Sequence, residues 1–390
     1  MALITGPRQV GKTTLVKHIL EGKKAGDAYF NWDIESHRKS ILRSPEDFWR
    51  EKIVENAHPC IALDEIHKYP RWKKFLKGLF DAVGDKTQIM ITGSGRLNTY
   101  QRGGDSLFGR YHLFHLHPLS VGEITRQEKD KIFSPQETVD SLMREPGLPN
   151  SKATLEKLFT LNGFPEPFYK NDPNTLHRWR REHRQLIIRE DLRDLTRIRE
   201  IGLIDALVEL LPERVGSTLS LNALREDLEV SFNTVKNWIQ TLSSLYYLFS
   251  IRPFQGRLAR TLKQEAKVYL FDGSVIQKEG PRFENMVALH LLKACDTWND
   301  LGYGDFELHY VRDKEKREVD FLIANGKKPW ALIECKYSDK TIDRSLLYFQ
   351  ERLKPTYAFQ AVYALEENVH YKTSSGIFLT SATHFLSKLP

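Results

Sequence analysis

The stretch Gly6-Pro7-Arg8-Gln9-Val10-Gly11-Lys12-Thr13-Thr14 constrains this chain more than any other segment. It follows a short apolar strand, Ala2 to Thr5, and opens into LVKHIL, whose apolar residues have helical spacing. Strand, loop and helix form the context in which the pattern GxxxxGK[ST] holds phosphate. The glycines let backbone N–H groups curl around phosphate oxygens without a Cβ in the way. The helix that follows points its positive end at the same anion. Lys12 reaches the β- and γ-phosphates, and Thr13 offers its hydroxyl to magnesium. The motif therefore predicts a parallel α/β domain that binds ATP with Mg2+, with all nine of these residues around the nucleotide.

A phosphate loop needs an acidic partner at the end of a buried strand. Cys60-Ile61-Ala62-Leu63-Asp64-Glu65 has that form, with four apolar residues fit for burial on both faces. Asp64 is expected to hold the magnesium shell, and Glu65 to orient or deprotonate the attacking water. A base placed for water favours hydrolysis over transfer to a metabolite, and the chain has no Asn-Lys-x-Asp motif for reading guanine. A third strand, Gln88 to Thr92, runs into Gly93-Ser94-Gly95. Thr92 or Ser94 is placed to sense the γ-phosphate, and Ser94 is the preferred candidate. Downstream, SLFGRY precedes the strand HLFHLHPLS. Its Arg110 is a candidate arginine finger, acting in cis or from a neighbouring subunit of a homo-oligomer.

Four segments, GPRQVGKTTL, ALDEIHKYPRW, ITGSGR and SLFGRYHLFHLHPLS, resemble a widespread bacterial and archaeal family of AAA-type ATPases. In that family the P-loop domain precedes a C-terminal region long described as a domain of unknown function. The resemblance extends over most of the chain, through LNGFPEPF (161–168), VYLFDGSVI (268–276) and FENMVALHLL (283–292). Members usually carry a segment ahead of the P-loop strand, whereas this chain starts almost on it. The expectation is a shortened chain or a gene start set too late.

From about residue 126 the pattern turns helical and charged. HRWRREHRQLIIREDLRDLTRIRE alternates Arg with Glu and Asp, which predicts a solvated helix laced with (i, i+4) ion pairs. LIDALVELLPERV, SLNALREDL and SFNTVKNWIQTLSSL predict three helices, the last two opened by Ser220 and Ser231. YYLFSIRPF then has the look of a β-wing. The set resembles a winged-helix domain, with Ser231, Asn233, Thr234, Lys236 and Asn237 exposed on its third helix. The family resemblance implies the same. Winged helices serve nucleic acid, DNA or RNA, and also protein partners.

The C-terminal stretch carries an acidic constellation. Glu284 lies on the helix FENMVALHLL, Asp320 in the strand EVDFLI, and Glu334 with Lys336 in the strand ALIECK. Strand alternation puts Glu334 and Lys336 on one face, with Cys335 opposite. A hairpin through ANGKKPW would set Asp320 beside Glu334. This order and spacing resemble the PD-(D/E)xK nuclease fold, in which carboxylates bind magnesium and the Lys orients water. Either a divalent metal binds the four residues, or Lys336 neutralises an inactive version of the site.

Domain expectations follow: a P-loop AAA-type domain over 1–125, a helical extension over 126–200, a winged-helix segment over 201–256 and a nuclease-like α/β domain over 257–390. With 28% charged residues the composition is that of a soluble globular protein. No apolar run approaches the roughly 18 to 20 residues that cross a bilayer. Cys60, Cys295 and Cys335 stand too far apart for a disulfide framework, which points to the cytoplasm. The formal net charge of +7 permits a nucleic-acid partner. The leading expectation is an Mg2+-dependent ATPase that switches conformation and acts with nucleic acid. Its rival is a nucleotide-gated scaffold whose C-terminal part binds a protein and cuts nothing.

Overall fold

A computed structural model describes residues 1–23, 28–50, 59–83, 87–93, 107, 109–126, 134–145, 147–192, 201–254, 265–367 and 369–390. They divide into two compact units, residues 1–117 with 244–246, and residues 118–243 with 247–390.

The first unit is built on five parallel strands: β1 (Ala2–Thr5), β2 (Tyr29–Asn31), β3 (Cys60–Asp64), β4 (Gln88–Thr92) and β5 (His112–His115). Their order is β2-β3-β4-β1-β5, so β4 lies between the P-loop strand and the acidic strand. Alternation sends successive side chains to opposite faces, and both faces are apolar. Leu3, Ile61, Leu63, Ile89 and Ile91 pack on one side with Ile41 of helix α2 (Glu35–Arg43) and with Leu76 and Leu79 of helix α3 (Trp72–Val83). Ile4, Cys60, Ala62 and Met90 pack on the other with Val16 and Leu20 of helix α1 (Lys12–Gly22). A sheet covered on both faces leaves only its strand ends for chemistry.

The second unit opens with helices. Among them are α4 (Val121–Thr125), α5 (Pro135–Arg144), α6 (Ser151–Leu161), α7 (Pro165–Lys170), α8 (Pro173–Gln185), α9 (Ile201–Leu210), α10 (Leu221–Asp227) and α11 (Phe232–Ser244). Local chemistry starts several of them. Ser134 and Glu137 form a reciprocal capping box ahead of α5, and Asp172 caps α8 with Pro173 in its first turn. Ser220 and Ser231 accept backbone N–H groups of Ala223 and Thr234, as expected of N-caps. On α11, Val235, Trp238 and Ile239 are buried, while Asn233, Lys236 and Asn237 are exposed.

The arginine-rich helix is solvated on one face, where Arg178, Arg181, Glu182 and Arg189 are exposed, but its other face is packed and its arginines there do not pair within the helix. Trp179 of α8 is buried, ring to ring with Phe164 and His183 at 4.7 and 4.6 Å. Arg180 donates to the hydroxyl and carbonyl of Ser274, and Arg184 to Asp205 and Glu209 of α9. These guanidiniums bond to other elements because the helix lies against them on its tryptophan side. Residues 193–200, the rest of that pattern, lie outside the described residues.

The remaining elements are β6 (Leu248–Pro253), β7 (Lys267–Leu270), α12 (Glu279–Asp300), β8 (Phe306–Arg312), β9 (Glu318–Asn325), β10 (Lys328–Lys336), α13 (Arg344–Leu353), β11 (Tyr357–Val362), β12 (His370–Lys372), β13 (Phe378–Ser381) and α14 (Ala382–Lys388). All eight strands form one sheet, ordered β12-β13-β11-β10-β9-β8-β6-β7. The expected wing strand β6 pairs antiparallel with β7 and parallel with β8, so it belongs to the large sheet. The expected division at 256/257 therefore falls between two hydrogen-bonded strands. The ladder is the physical reason: separating β6 from β8 would leave backbone groups unpaired.

Trp179→Ala should cost about 3–5 kcal/mol, because a large buried ring leaves a cavity. Urea unfolding would read this as an earlier midpoint for the second unit. A midpoint equal to that of the wild type would contradict the packing described.

Candidate nucleotide site and C-terminal acid cluster

The loop after β1 is shaped by three unusual backbone conformations. Gly6 has φ 151° and Gly11 has φ 103°, and Gln9 adopts φ 59°. A Cβ on Gly6 would lie 2.1 Å from the carbonyl oxygen of Leu116, so only glycine fits. Left-handed residues within such a loop turn successive N–H groups toward one concave face. Lys12, the first residue of α1, is buried, and its ammonium donates to the carbonyls of Gly6 and Pro7 at 2.9 and 2.5 Å. Thr5 ahead of the loop shares a hydrogen bond with the phenol of Tyr246, at 3.0 Å.

Asp64 ends β3 at the same sheet edge and is 3% exposed. Its Oδ2 accepts from the hydroxyl of Thr13 at 2.8 Å and from that of Tyr29 at 2.6 Å, with the Asn31 amide at 3.4 Å. Its Oδ1 accepts from the hydroxyl of Thr92 at 2.6 Å. Loop, β2, β3 and β4 are thus tied to one carboxylate. Thr92, one of the two residues weighed as a γ-phosphate sensor, spends its hydroxyl on Asp64; Ser94, the preferred one, lies outside the described residues. Burial raises the pKa of the Tyr29 phenol, and its bond to Asp64 pushes the same way. Neither Tyr29 nor Asn31 has a local motif. Their positions at the ends of the short strand YFN were the only available signal.

Glu65 takes a left-handed conformation, φ 56°, and its N–H donates to the Thr92 carbonyl. Its carboxylate lies 3.5 Å from His67 Nε2 and 3.4 Å from Lys68 Nζ. Burial raises its pKa above the ordinary 4.5, while the charges of Lys68 and, from the phosphate loop, Arg8 pull it down.

Arg110 is not brought to this place. It precedes β5, and its carbonyl accepts from the amine of Met1, at the start of the neighbouring parallel strand β1. The loop lies at the other end of β1, and four residues at about 3.3 Å each separate the two edges by roughly 13 Å. The guanidinium instead donates to Asp81 of α3 at 2.9 Å.

In the second unit, the β9–β10 register pairs Phe321 with Ile333 and so carries Asp320 across from Glu334. The N–H of Asp320 donates to Glu334, and that of Cys335 to Asp320 at 2.9 Å. Lys336 donates to Glu334 at 2.7 Å and pairs with Asp343 at 2.8 Å. Glu284 of α12 accepts from the Tyr269 phenol at 2.7 Å. The residue that sequence reasoning missed is Lys267, 1% exposed, whose Nζ lies 2.7 Å from Glu318, 3.2 Å from Glu284 and 3.7 Å from Asp320. It shares a strand face with Tyr269 in KVYL, and a charge opening an otherwise apolar strand was the available signal. Burial raises the pKa of Glu284 to about 7 and of Glu334 to about 8, with Asp320 adding to both. Burial lowers that of Lys267, but Glu284, Asp320 and Glu318 outweigh it and the net shift is upward. Among the described residues, no three His, Cys, Asp or Glu side chains form a set suited to a metal ion.

Residues 152–278 and 279–385 match two successive families, each described as a domain of unknown function (DUF8612 and DUF4143). Two uncharacterized proteins, of Mycobacterium bovis and Mycobacterium tuberculosis, are each 20% identical to this chain over 357 residues, covering 89% of it and 72% of their own length. Residues 1–125 match the family described as an AAA domain, a similarity that suggests a nucleotide-binding ATPase at the N-terminus of the chain.

Proposed function

We propose that this chain is a magnesium-dependent ATPase whose nucleotide state drives a conformational switch, and that it works with nucleic acid, DNA or RNA. The observation that carries the reading is the 2.8 Å hydrogen bond from Thr13 to Asp64, which unites the phosphate loop and the acidic strand end at one sheet edge. The backbone at Gly6 leaves no space for a side chain. Hydroxyl and carboxylate oxygens are the hard donors that suit magnesium. Magnesium, when bound, neutralises charge on the phosphate oxygens.

Lys12 exchanges the Gly6 and Pro7 carbonyls for the β- and γ-phosphates. Tyr29, Asn31 and Thr92 hold the Asp64 carboxylate in one orientation. Glu65 takes a proton from the attacking water, and its raised pKa makes it a better base than an ordinary carboxylate. Arg110, at the opposite edge, serves as a finger only when a neighbouring protomer of a homo-oligomer supplies it. The exposed Asn233, Lys236 and Asn237 of α11 offer donors for phosphates and base edges. Three free thiols fit the reducing cytoplasm.

One observation favours the scaffold reading. Strand β6 is tied into the large sheet on both sides, so it is not free to enter a groove as a wing. DNA-stimulated turnover supports the nucleic-acid reading, and turnover indifferent to DNA and RNA supports the scaffold.

Lys12→Ala should cut hydrolysis at least about 100-fold, the scale of removing one preorganised charge stabiliser. Unchanged turnover in the purified variant would reject the ATPase. Glu65→Gln should retain nucleotide and lose turnover by about 100-fold or more. The base must be ionised, so wild-type kcat should fall as pH drops through its raised pKa. The acid limb then lies above the ordinary carboxylate value of 4.5, and a limb at or below that value would assign the base elsewhere. Arg110→Ala removes the partly exposed ion pair with Asp81, a loss worth about 0–1 kcal/mol of stability. It should lower kcat more than affinity, and mixing it with Lys12→Ala should restore activity. No recovery in the mixture, with nucleotide affinity unchanged, would reject a finger supplied in trans.

A further inference from the structure

The acid cluster of the second unit raises a question of charge. Glu284 on α12 and Glu318 and Asp320 on β9 converge half-buried, and like charges so close are held only by a cation or by protons. Lys267 reaches them from β7, which is not a neighbour of β9 in the sheet. Its side chain is 1% exposed, and its ammonium has three carboxylate oxygens within 3.7 Å: Glu318 Oε1, Glu284 Oε1 and Asp320 Oδ1. A buried lysine needs such partners, since an unpaired one costs several kcal/mol or loses its proton.

A divalent cation held by Glu284 Oε1 and Asp320 Oδ1, the oxygens that face Lys267, would sit at about 2.0–2.6 Å from them. It would then lie against the ammonium, with like charges in contact. Lys336, the lysine that the ExK spacing nominates, is bound elsewhere, to Glu334 and Asp343. We infer that the ammonium of Lys267 is the resident cation of this cluster, standing where a divalent metal shared by Glu284 Oε1 and Asp320 Oδ1 would bind. An ammonium balances charge, but it cannot coordinate water and lower its pKa as a metal does. Metal-dependent phosphodiester hydrolysis between Glu284 and Asp320 is therefore absent, and the cluster acts as an ionic brace between α12, β7 and β9. The inference rests on the second unit alone and stands whether or not the first unit hydrolyses ATP.

The test uses the full-length chain, with Mn2+ for cleavage and Tb3+ for binding, since Tyr269 lies beside Glu284 and would sensitise terbium luminescence. Wild type should show no Tb3+ signal that Asp320→Asn removes, and no Mn2+-dependent cleavage of DNA or RNA. Lys267→Gln should gain a Tb3+ signal, and adding Asp320→Asn should abolish it. Its thermal midpoint should fall by more than about 5 °C, given how strongly uncompensated buried carboxylates destabilise. Mn2+ should restore part of that loss. If Lys267→Gln fails to fold, Lys267→Arg should fold and stay silent to Tb3+, because it keeps a cation in place. Wild-type cleavage or terbium binding that Asp320→Asn abolishes would overturn the inference. So would Lys267→Gln with wild-type stability and no terbium signal.

Discussion

Asp64 is the point on which the first unit depends. One carboxylate, 3% exposed, accepts from Thr13 after the phosphate loop, from Tyr29 and Asn31 on β2, and from Thr92 on β4. A buried carboxylate is costly unless its lone pairs are met, and these donors meet them. The network has two effects that pull together. It fixes the ends of three strands against one another, and it fixes the Thr13 hydroxyl beside the carboxylate that ends β3. Apolar packing on both faces of the sheet supplies the bulk of the stability, but it does not position an oxygen atom. That task falls to the hydrogen bonds at the strand ends.

The second unit solves a related problem with opposite chemistry. Its carboxylates are half-buried, or buried in the case of Glu334, and also drawn from separate elements, yet they are satisfied mainly by cations. Lys267 serves Glu284, Glu318 and Asp320, while Lys336 serves Glu334 and Asp343. In the first unit neutral donors hold a single acid. In the second, fixed charges hold acids closed against one another. Two clusters rich in Asp and Glu thus differ in what they leave available.

Local pattern made the first unit legible. Gly6, Gly11, Lys12 and Thr13 stand in one short run, and Asp64 and Glu65 stand at the end of another, so spacing and strand context suffice. Tyr29 and Asn31 were out of reach, because their role comes from a parallel pairing between β2 and β3 that no local pattern encodes. Arg110 was misjudged as a cis candidate, although the signal was present. In a parallel sheet a residue before one strand and a loop after another lie at opposite edges. The helical character of the segment around Trp179 was readable, but the partners of its arginines were not. Charge pattern tells only that ions are present, whereas their bonds depend on which helices pack nearby. Asp320, Glu334 and Lys336 were readable from strand alternation. Lys267 was not, because it comes from a strand separated from theirs in both sequence and sheet.

The eight-stranded sheet has a consequence for how this chain is cut into modules. The seam between the two matched families, at 278/279, falls after β7 and before β8. That seam follows sequence inheritance, and the sheet disregards it, since β6 from one side is hydrogen-bonded to β8 from the other. A fragment taken at the seam would bare the edge of β8, a template for intermolecular pairing. It would also carry Glu284, Glu318 and Asp320 without the lysine that answers them. The unit of descent and the unit of folding are therefore different objects here, and grafting or shuffling these modules has to respect the second.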